Sequence, residues 1–134
     1  YTFRRGDFCS TLDDVIRNVR DFGEVDACQF IPGWFSATLP KIRGSIALAL
    51  MDVDLVESAR DCLKYLWPRL TGPHFFTHEA IHQTYMDAIL DGKWWRETMG
   101  CEPPVALGAA SGLHAAADCL AVLVHSMAAS PASS

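Results

Sequence analysis

Two pairs of residues that can bind a metal ion or move a proton follow predicted strands. Asp52 and Asp54 come directly after the apolar run 46–51. His78 and Glu79 follow the next predicted strand. Because ligands in open α/β sheets bind beyond the carboxyl ends of the strands, we expect these side chains to meet at one edge. Carboxylates with one imidazole could hold Mg²⁺ or another divalent ion, and the remaining carboxylate could accept a hydroxyl proton. The alternative is a set of helix caps and solvated polar side chains.

The same region contains a literal H-E-x-x-H motif at residues 78–82. On a helix, His78 and His82 would lie one turn apart and bind zinc, with Glu79 as the general base of a hydrolase. The context does not favour this interpretation, because Tyr85 stands where the longer metalloprotease pattern has glycine. His78 also follows a predicted strand, whereas the motif needs a helix through both histidines. Zinc hydrolysis is therefore kept as the lesser alternative.

The elements that must position these residues follow from the hydrophobic pattern. Residues 46–51 are continuously apolar, which predicts a strand covered on both faces of a sheet. Helical spacing begins after Asp54, which could cap that helix, with Glu57 completing a capping box. The alternation of strands and helices predicts an α/β fold. The other predicted elements are helices through 12–22 and 81–89 and strands at 27–31, 75–77, 105–107 and 120–124.

Composition and charge narrow the class of protein. A chain of 134 residues, half of them hydrophobic, fits one α/β domain, predicted at 1–127 with a flexible tail at 128–134. The net charge of −5 argues against nucleic-acid partners and acidic membrane surfaces. No apolar run reaches the roughly 18 residues that cross a bilayer. Five scattered cysteines without a CxxC pair favour a reducing, cytoplasmic setting.

Three blocks of sequence resemble the macrocin O-methyltransferase family. They are Gly-Trp-Phe-Ser-Ala-Thr-Leu-Pro at 33–40, Met-Asp-Val-Asp-Leu-Val-Glu-Ser at 51–58 and Leu-Trp-Pro-Arg-Leu at 66–70. Their order and spacing are those of the family, and the resemblance extends over about residues 11–123. Members of this family are class I S-adenosylmethionine-dependent enzymes that methylate sugar hydroxyls of natural products and need Mg²⁺. The resemblance therefore implies an O-methyltransferase acting on a small-molecule hydroxyl acceptor.

The resemblance also implies a role for each of the four polar residues. Asp52 matches the first metal ligand of the family, and Asp54 matches the carboxylate proposed as general base toward the acceptor hydroxyl. His78 and Glu79 fall where the family has two acidic ligands. A histidine at the first of these positions weakens the preference for Mg²⁺ over other divalent cations. The implied cofactors are S-adenosylmethionine and Mg²⁺ or another divalent ion.

The fold that the resemblance implies is the C-terminal part of a Rossmann-like sheet. The family sheet has seven strands in the order 3-2-1-4-5-7-6, and this chain would supply strands 3 to 7 with flanking helices. Strand 3 would be 27–31, strand 4 would be 46–51 and strand 5 would be 75–77, with strands 6 and 7 at 105–107 and 120–124.

The glycine-rich cofactor turn and the acidic ribose ligand of the family follow strands 1 and 2, so no cofactor-binding residue is predicted in this chain. A missing N-terminal half or a second copy of the chain would then complete the sheet, or the sheet would be rearranged. The alternative function is a non-catalytic scaffold or dimerisation module that has lost the cofactor site.

Overall fold

A computed structural model describes residue 4 and residues 9–72, 75–108 and 120–124 of the chain. The chain divides into two compact units, Tyr1–Trp34 and Phe35–Ser134. Within the described ranges, no helix has the length and apolar character needed to span a bilayer. The predicted tail at 128–134, and with it the end of the predicted domain 1–127, lies outside the described residues.

The first unit contains helix α1 (Leu12–Phe22), as predicted from its apolar spacing. Thr11 caps the helix, since its hydroxyl accepts a hydrogen bond of 3.2 Å from the backbone N–H of Asp14. The helix ends at Gly23, whose N–H donates to the carbonyl of Val19 at 2.8 Å. The sequence therefore placed both ends of this helix correctly.

The strand predicted at 27–31 is wrong. Val25–Ala27 form a turn of 3₁₀ helix, and residues 28–31 are not part of any sheet among the described residues. A short apolar segment with strand propensity forms a stable strand only when a neighbour supplies hydrogen-bond partners and apolar cover. Ile31 lacks that cover and is 47% exposed.

The second unit is built on a four-stranded sheet with the order β1-β2-β4-β3. Strand β1 (Ala49–Met51) pairs in parallel with β2 (Phe75–Thr77). Strand β3 (Val105–Gly108) and strand β4 (Ala121–Val124) form an antiparallel pair, and β4 also lies antiparallel to β2. This order is the 4-5-7-6 end of the predicted sheet, and the α/β class is confirmed.

Helix α3 (Val56–Leu66) joins the parallel strands β1 and β2. Its apolar face buries Ala59, Cys62 and Leu63 in the core, while its polar face remains toward solvent. The other helical segments of this unit are α2 (Phe35–Thr38), 3₁₀ turns at Leu39–Lys41 and Trp67–Arg69, α4 (Gln83–Ile89), and α5 (Gly92–Trp94), which continues as a π-helical turn at Trp95–Met99.

The centre of the core is a cluster of aromatic rings around Trp95, which is fully buried. The Trp95 ring packs edge-on against Trp67 and Trp94, with centroid distances of 5.3 and 5.4 Å. Its indole N–H donates to the carbonyl of Ile89 at 2.7 Å. Because the Ile89 carbonyl accepts this hydrogen bond, the buried indole N–H of Trp95 is satisfied. These contacts tie Trp95 to the end of α4 and to the 3₁₀ turn that follows α3.

Two sequence predictions around β1 are wrong in detail. The strand is shorter than 46–51, and only one face is covered: Met51 is 3% exposed, whereas Leu48 and Leu50 are 56% and 62% exposed. Strand β1 lies at the edge of the described sheet, and the side chains on its other face are largely exposed. Alternate residues of a strand point to opposite faces, so an uncovered face exposes every second side chain.

The predicted helix cap at Asp54 is also wrong. Leu55 occupies the N-cap position of α3, with no side-chain hydrogen bond to the helix. The Leu55 carbonyl accepts the first helical bond, from the N–H of Ala59 at 2.9 Å. The backbone therefore becomes helical one residue too late for the Asp54 carboxylate to act as the cap.

Candidate metal centre

The register of the two parallel strands brings the predicted site residues together. Met51 lies opposite Thr77 at the carboxyl ends of β1 and β2. The N–H of His78 then donates to the Met51 carbonyl at 2.9 Å, which continues the ladder one residue beyond the strands. Asp52 and His78 consequently leave the sheet side by side. The edge that they share is the carboxyl edge, where α/β sheets place their ligands.

The side chains of Asp52, His78 and Glu79 converge at this edge. His78 Nδ1 lies 3.3 Å from Asp52 Oδ1 and 3.1 Å from Glu79 Oε1. One ligand atom of each residue lies within 4.8 Å of the other two, and no other set of three acidic, histidine or cysteine side chains in the described part of the chain does so. The three side chains are 65%, 42% and 18% exposed in that order.

His82 supports this cluster from one side. Its Nε2 lies 3.2 Å from Glu79 Oε2, the carboxylate oxygen that is turned away from His78. Backbone hydrogen bonds from Ala80 to the His78 carbonyl and from His82 to the Glu79 carbonyl shape the turn that holds both residues. The sequence pattern did not predict this supporting role, although the H-E-x-x-H motif places a glutamate and a histidine three residues apart.

The helix that a zinc hydrolase would need is not formed. Residues 78–81 lie in a strand end and turns, and α4 begins at Gln83, after the second histidine. His82 is therefore not stacked one helical turn above His78. Among the described residues, the convergent set includes His78 and Glu79 but not His82. The match to the motif therefore combines two candidate ligands that follow a strand with one histidine that contacts the Glu79 carboxylate.

Asp54 is the one predicted site residue that the structure leaves outside the cluster. It lies exposed in the bend between β1 and α3 and is not part of the convergent set of ligand atoms. Its predicted role as a general base does not depend on that set, and it stays a prediction. The metal-ligand roles of Asp52, His78 and Glu79 are likewise predictions, now with a geometry that can be tested.

Two buried hydroxyl groups that the sequence pattern did not predict lie near Glu79 and His78. Thr77 precedes His78 and is fully buried, and Tyr85 is 5% exposed. Burial raises the pKa of the Tyr85 phenol, an effect that the nearby Thr77 hydroxyl reduces and the negative charge of Glu79 increases. The two hydroxyls lie near each other without good hydrogen-bond geometry. The only sequence signal for them was a polar group within an apolar strand and an apolar helix face.

The donor set of the cluster fits a divalent cation. Two carboxylates balance a charge of +2, and a neutral imidazole adds a third donor without further charge. The exposure of Asp52 and His78 leaves one side of the cluster open to oxygen atoms from solvent or from a bound hydroxyl compound. Such a mixture of protein ligands and open positions is typical of catalytic rather than purely structural metal sites.

Comparison with known proteins gives consistent relatives. The chain is 34% identical over 97 residues to the 8-demethyl-8-(2,3-dimethoxy-alpha-L-rhamnosyl)-tetracenomycin-C 4'-O-methyltransferase of Streptomyces olivaceus, a match that covers 70% of this chain and 36% of that protein. It is 39% identical over 61 residues to the demethyldecarbamoylnovobiocin O-methyltransferase of Streptomyces niveus, covering 44% of this chain and 23% of that protein. The chain thus spans less than half the length of the relatives that it matches.

One solved structure has a fold similar to that of this chain. The solved structure of the O-methyltransferase NovP superposes with a TM-score of 0.63, covering 86% of this chain and 45% of that chain at 24% identity. The family model for macrocin O-methyltransferase (TylF) matches residues 8–98, a region that includes every residue of the candidate metal centre. The chain therefore belongs to the macrocin O-methyltransferase family.

Proposed function

We propose that this chain is the metal- and acceptor-binding portion of an S-adenosylmethionine-dependent O-methyltransferase that methylates a hydroxyl of a sugar or another natural product. The observation that carries the proposal is the convergence of Asp52, His78 and Glu79 at the carboxyl edge of the sheet, in a chain of this family. Both curated relatives are named as O-methyltransferases of natural-product compounds, which supports this class of acceptor.

Each residue of the site has a distinct task in this proposal. Asp52, His78 and Glu79 would hold Mg²⁺ or another divalent ion, which would supply Lewis-acid activation of an acceptor hydroxyl. His82 fixes the orientation of the Glu79 carboxylate through the 3.2 Å contact to Oε2. Asp54, exposed beside the cluster, takes the proton of the attacking hydroxyl as general base. S-adenosylmethionine, when bound, would supply the methyl group from its sulfonium and leave as the neutral thioether.

The proposal assigns no cofactor-binding residue to this chain. We infer that S-adenosylmethionine is bound together with a further N-terminal portion or a second copy, because the chain spans only 36% of the Streptomyces olivaceus relative. A cytoplasmic setting is part of the proposal as well. The four described cysteines are free thiols, as a reducing compartment requires.

Methyl transfer tests this function directly. The full chain is assayed with S-adenosylmethionine, Mg²⁺ or Mn²⁺ and a panel of glycosides with vicinal hydroxyls. A parallel assay uses a fusion of the chain behind the N-terminal region of the Streptomyces olivaceus relative. We expect methylated product from the fusion, detected by mass spectrometry, and its loss in the fusion variants Asp52→Asn and Asp54→Asn. Undiminished methyl transfer in both variants would contradict the assigned roles.

A non-catalytic scaffold is the second candidate, and one observation favours it. Strand β1 lies at the sheet edge, and Leu50 within it and Leu48 just before it are exposed, as expected for a segment that pairs with another chain. Isothermal titration separates the two functions, because a scaffold that has lost its site binds neither S-adenosylmethionine nor a divalent ion. Binding of a divalent ion that disappears in Asp52→Asn would decide against the scaffold.

A further inference from the structure

The three donor atoms of the candidate metal centre are not of one kind. Asp52 and Glu79 offer carboxylate oxygens, whereas His78 offers the ring nitrogen Nδ1, which faces both of them at 3.3 and 3.1 Å. Mg²⁺ and Ca²⁺ bind almost entirely through oxygen. Imidazole nitrogen favours the later first-row ions, such as Co²⁺, Ni²⁺ and Zn²⁺. An ion held by all three side chains would therefore have to accept a nitrogen ligand.

The environment of Glu79 restricts the choice of ion further. One carboxylate oxygen, Oε1, faces His78, while Oε2 contacts His82 at 3.2 Å. Because His82 engages the second oxygen, Glu79 presents a single oxygen to the cluster. Ca²⁺ often relies on bidentate carboxylates to reach its coordination number of seven or so, and this arrangement disfavours it.

We propose that His78 makes this centre selective for a first-row transition ion over Mg²⁺, and that His82 is a positioning residue for Glu79 rather than a ligand. The inference rests on the metal site of the proposed function and adds the identity of the ion. Most sites bind Co²⁺ more tightly than Mg²⁺, so the specific claim concerns the ratio of the two dissociation constants. His78 sets that ratio, and a carboxylate in its place would lower it.

Isothermal titration of the full chain with Co²⁺ and with Mg²⁺ measures this ratio. We expect His78→Asp to tighten Mg²⁺ binding and to weaken Co²⁺ binding. The ratio of the Mg²⁺ to the Co²⁺ dissociation constant should therefore fall by about tenfold or more, a change of the size that altered ligand surroundings produce in metal affinity. The visible absorption spectrum of the Co²⁺ complex should change in the same variant, since a nitrogen ligand is replaced by oxygen. Far-UV circular dichroism establishes folding, and His78→Asn provides a second variant that removes the nitrogen donor.

His82→Ala is the matched control, because it alters the other histidine of the same motif. We expect it to weaken both ions by a similar factor, leaving the ratio and the Co²⁺ spectrum unchanged. A selective loss of Co²⁺ binding in His82→Ala would overturn the assignment of His82. An unchanged ratio in folded His78→Asp would overturn the role of His78 while leaving the proposed methyltransferase intact. If the wild-type chain binds neither ion, the metal site of the proposed function fails together with the inference.

Discussion

Replacing Asp52 by asparagine should maintain or raise the stability of the metal-free protein and should reduce the extra stability that a bound metal ion provides. The Asp52 and Glu79 carboxylates are both in the set of ligand atoms that lie within 4.8 Å of one another. At 4.8 Å, the upper limit of their spacing, two unit negative charges repel by about 0.9 kcal/mol in water-like surroundings and by about 3.5 kcal/mol at an effective dielectric constant of 20. Since the Asp52 side chain is 65% exposed, the lower value applies.

The loss of metal binding is the larger effect. An ion at a hundred times its dissociation constant stabilises the folded chain by about 2.7 kcal/mol. If Asp52→Asn weakens binding tenfold, the same ion concentration contributes only about 1.4 kcal/mol. For a chain of this size, that difference lowers the metal-induced rise in Tm by about 5 °C. Without metal, we expect the variant to be as stable as the wild type or more stable by about 0.9 kcal/mol.

Thermal unfolding with and without Mn²⁺, supported by isothermal titration, measures both effects. Asp54→Asn is the matched control, because it makes the same chemical change two residues away and outside the convergent set. We expect it to keep the metal-induced rise in Tm. The reasoning is refuted if Asp52→Asn retains the full metal response, or if it destabilises the metal-free chain by more than about 1 kcal/mol, which would mark Asp52 as a structural residue.

Three further predictions concern the framework that holds the site. Gly108→Ala should lower the free energy of unfolding, measured by urea titration, by about 2 kcal/mol or more, because its φ is +133° and a Cβ would lie 2.8 Å from a backbone carbonyl oxygen. Gly44→Ala is the control: its φ is +86° with open space around it, so the substitution should cost about 1 kcal/mol. Trp95→Phe should lower the free energy of unfolding by about 2–4 kcal/mol, since it removes the 2.7 Å hydrogen bond to the Ile89 carbonyl and leaves a cavity. A loss of less than about 1 kcal/mol would contradict this account. Burial raises the pKa of the Cys62 thiol from 9.0 to about 11, so the folded state binds its proton more tightly and stability should fall as the pH rises between these values. In urea titrations at pH 8 to 11, the free energy of unfolding should fall less steeply with pH in Cys62→Ala than in the wild type. Equal slopes in the two proteins would refute this role of the Cys62 thiol.

The sequence by itself determined the class of fold and most of its elements. The apolar spacing predicted both ends of α1, because the contacts that end it, such as the cap at Thr11, are local interactions. The short apolar runs at β1, β2 and the late pair of strands predicted the sheet, and the resemblance supplied their order. The placement of Asp52 and His78 after neighbouring strands predicted that they would meet, since the register of a parallel pair brings equivalent strand ends together.

The tertiary structure alone decided which residues are covered and which side chains touch. The predicted strand at 27–31 and the run before Met51 have the composition of sheet elements, but Ile31, Leu48 and Leu50 remain largely exposed, and composition cannot reveal whether a neighbour covers them. Asp54 failed as a cap because the helix begins one residue late, a shift that propensity does not resolve. The contact of His82 with Glu79 depends on the turn before α4. Such contacts are set by backbone geometry over several residues, so the H-E-x-x-H pattern could not show that its second histidine supports a carboxylate.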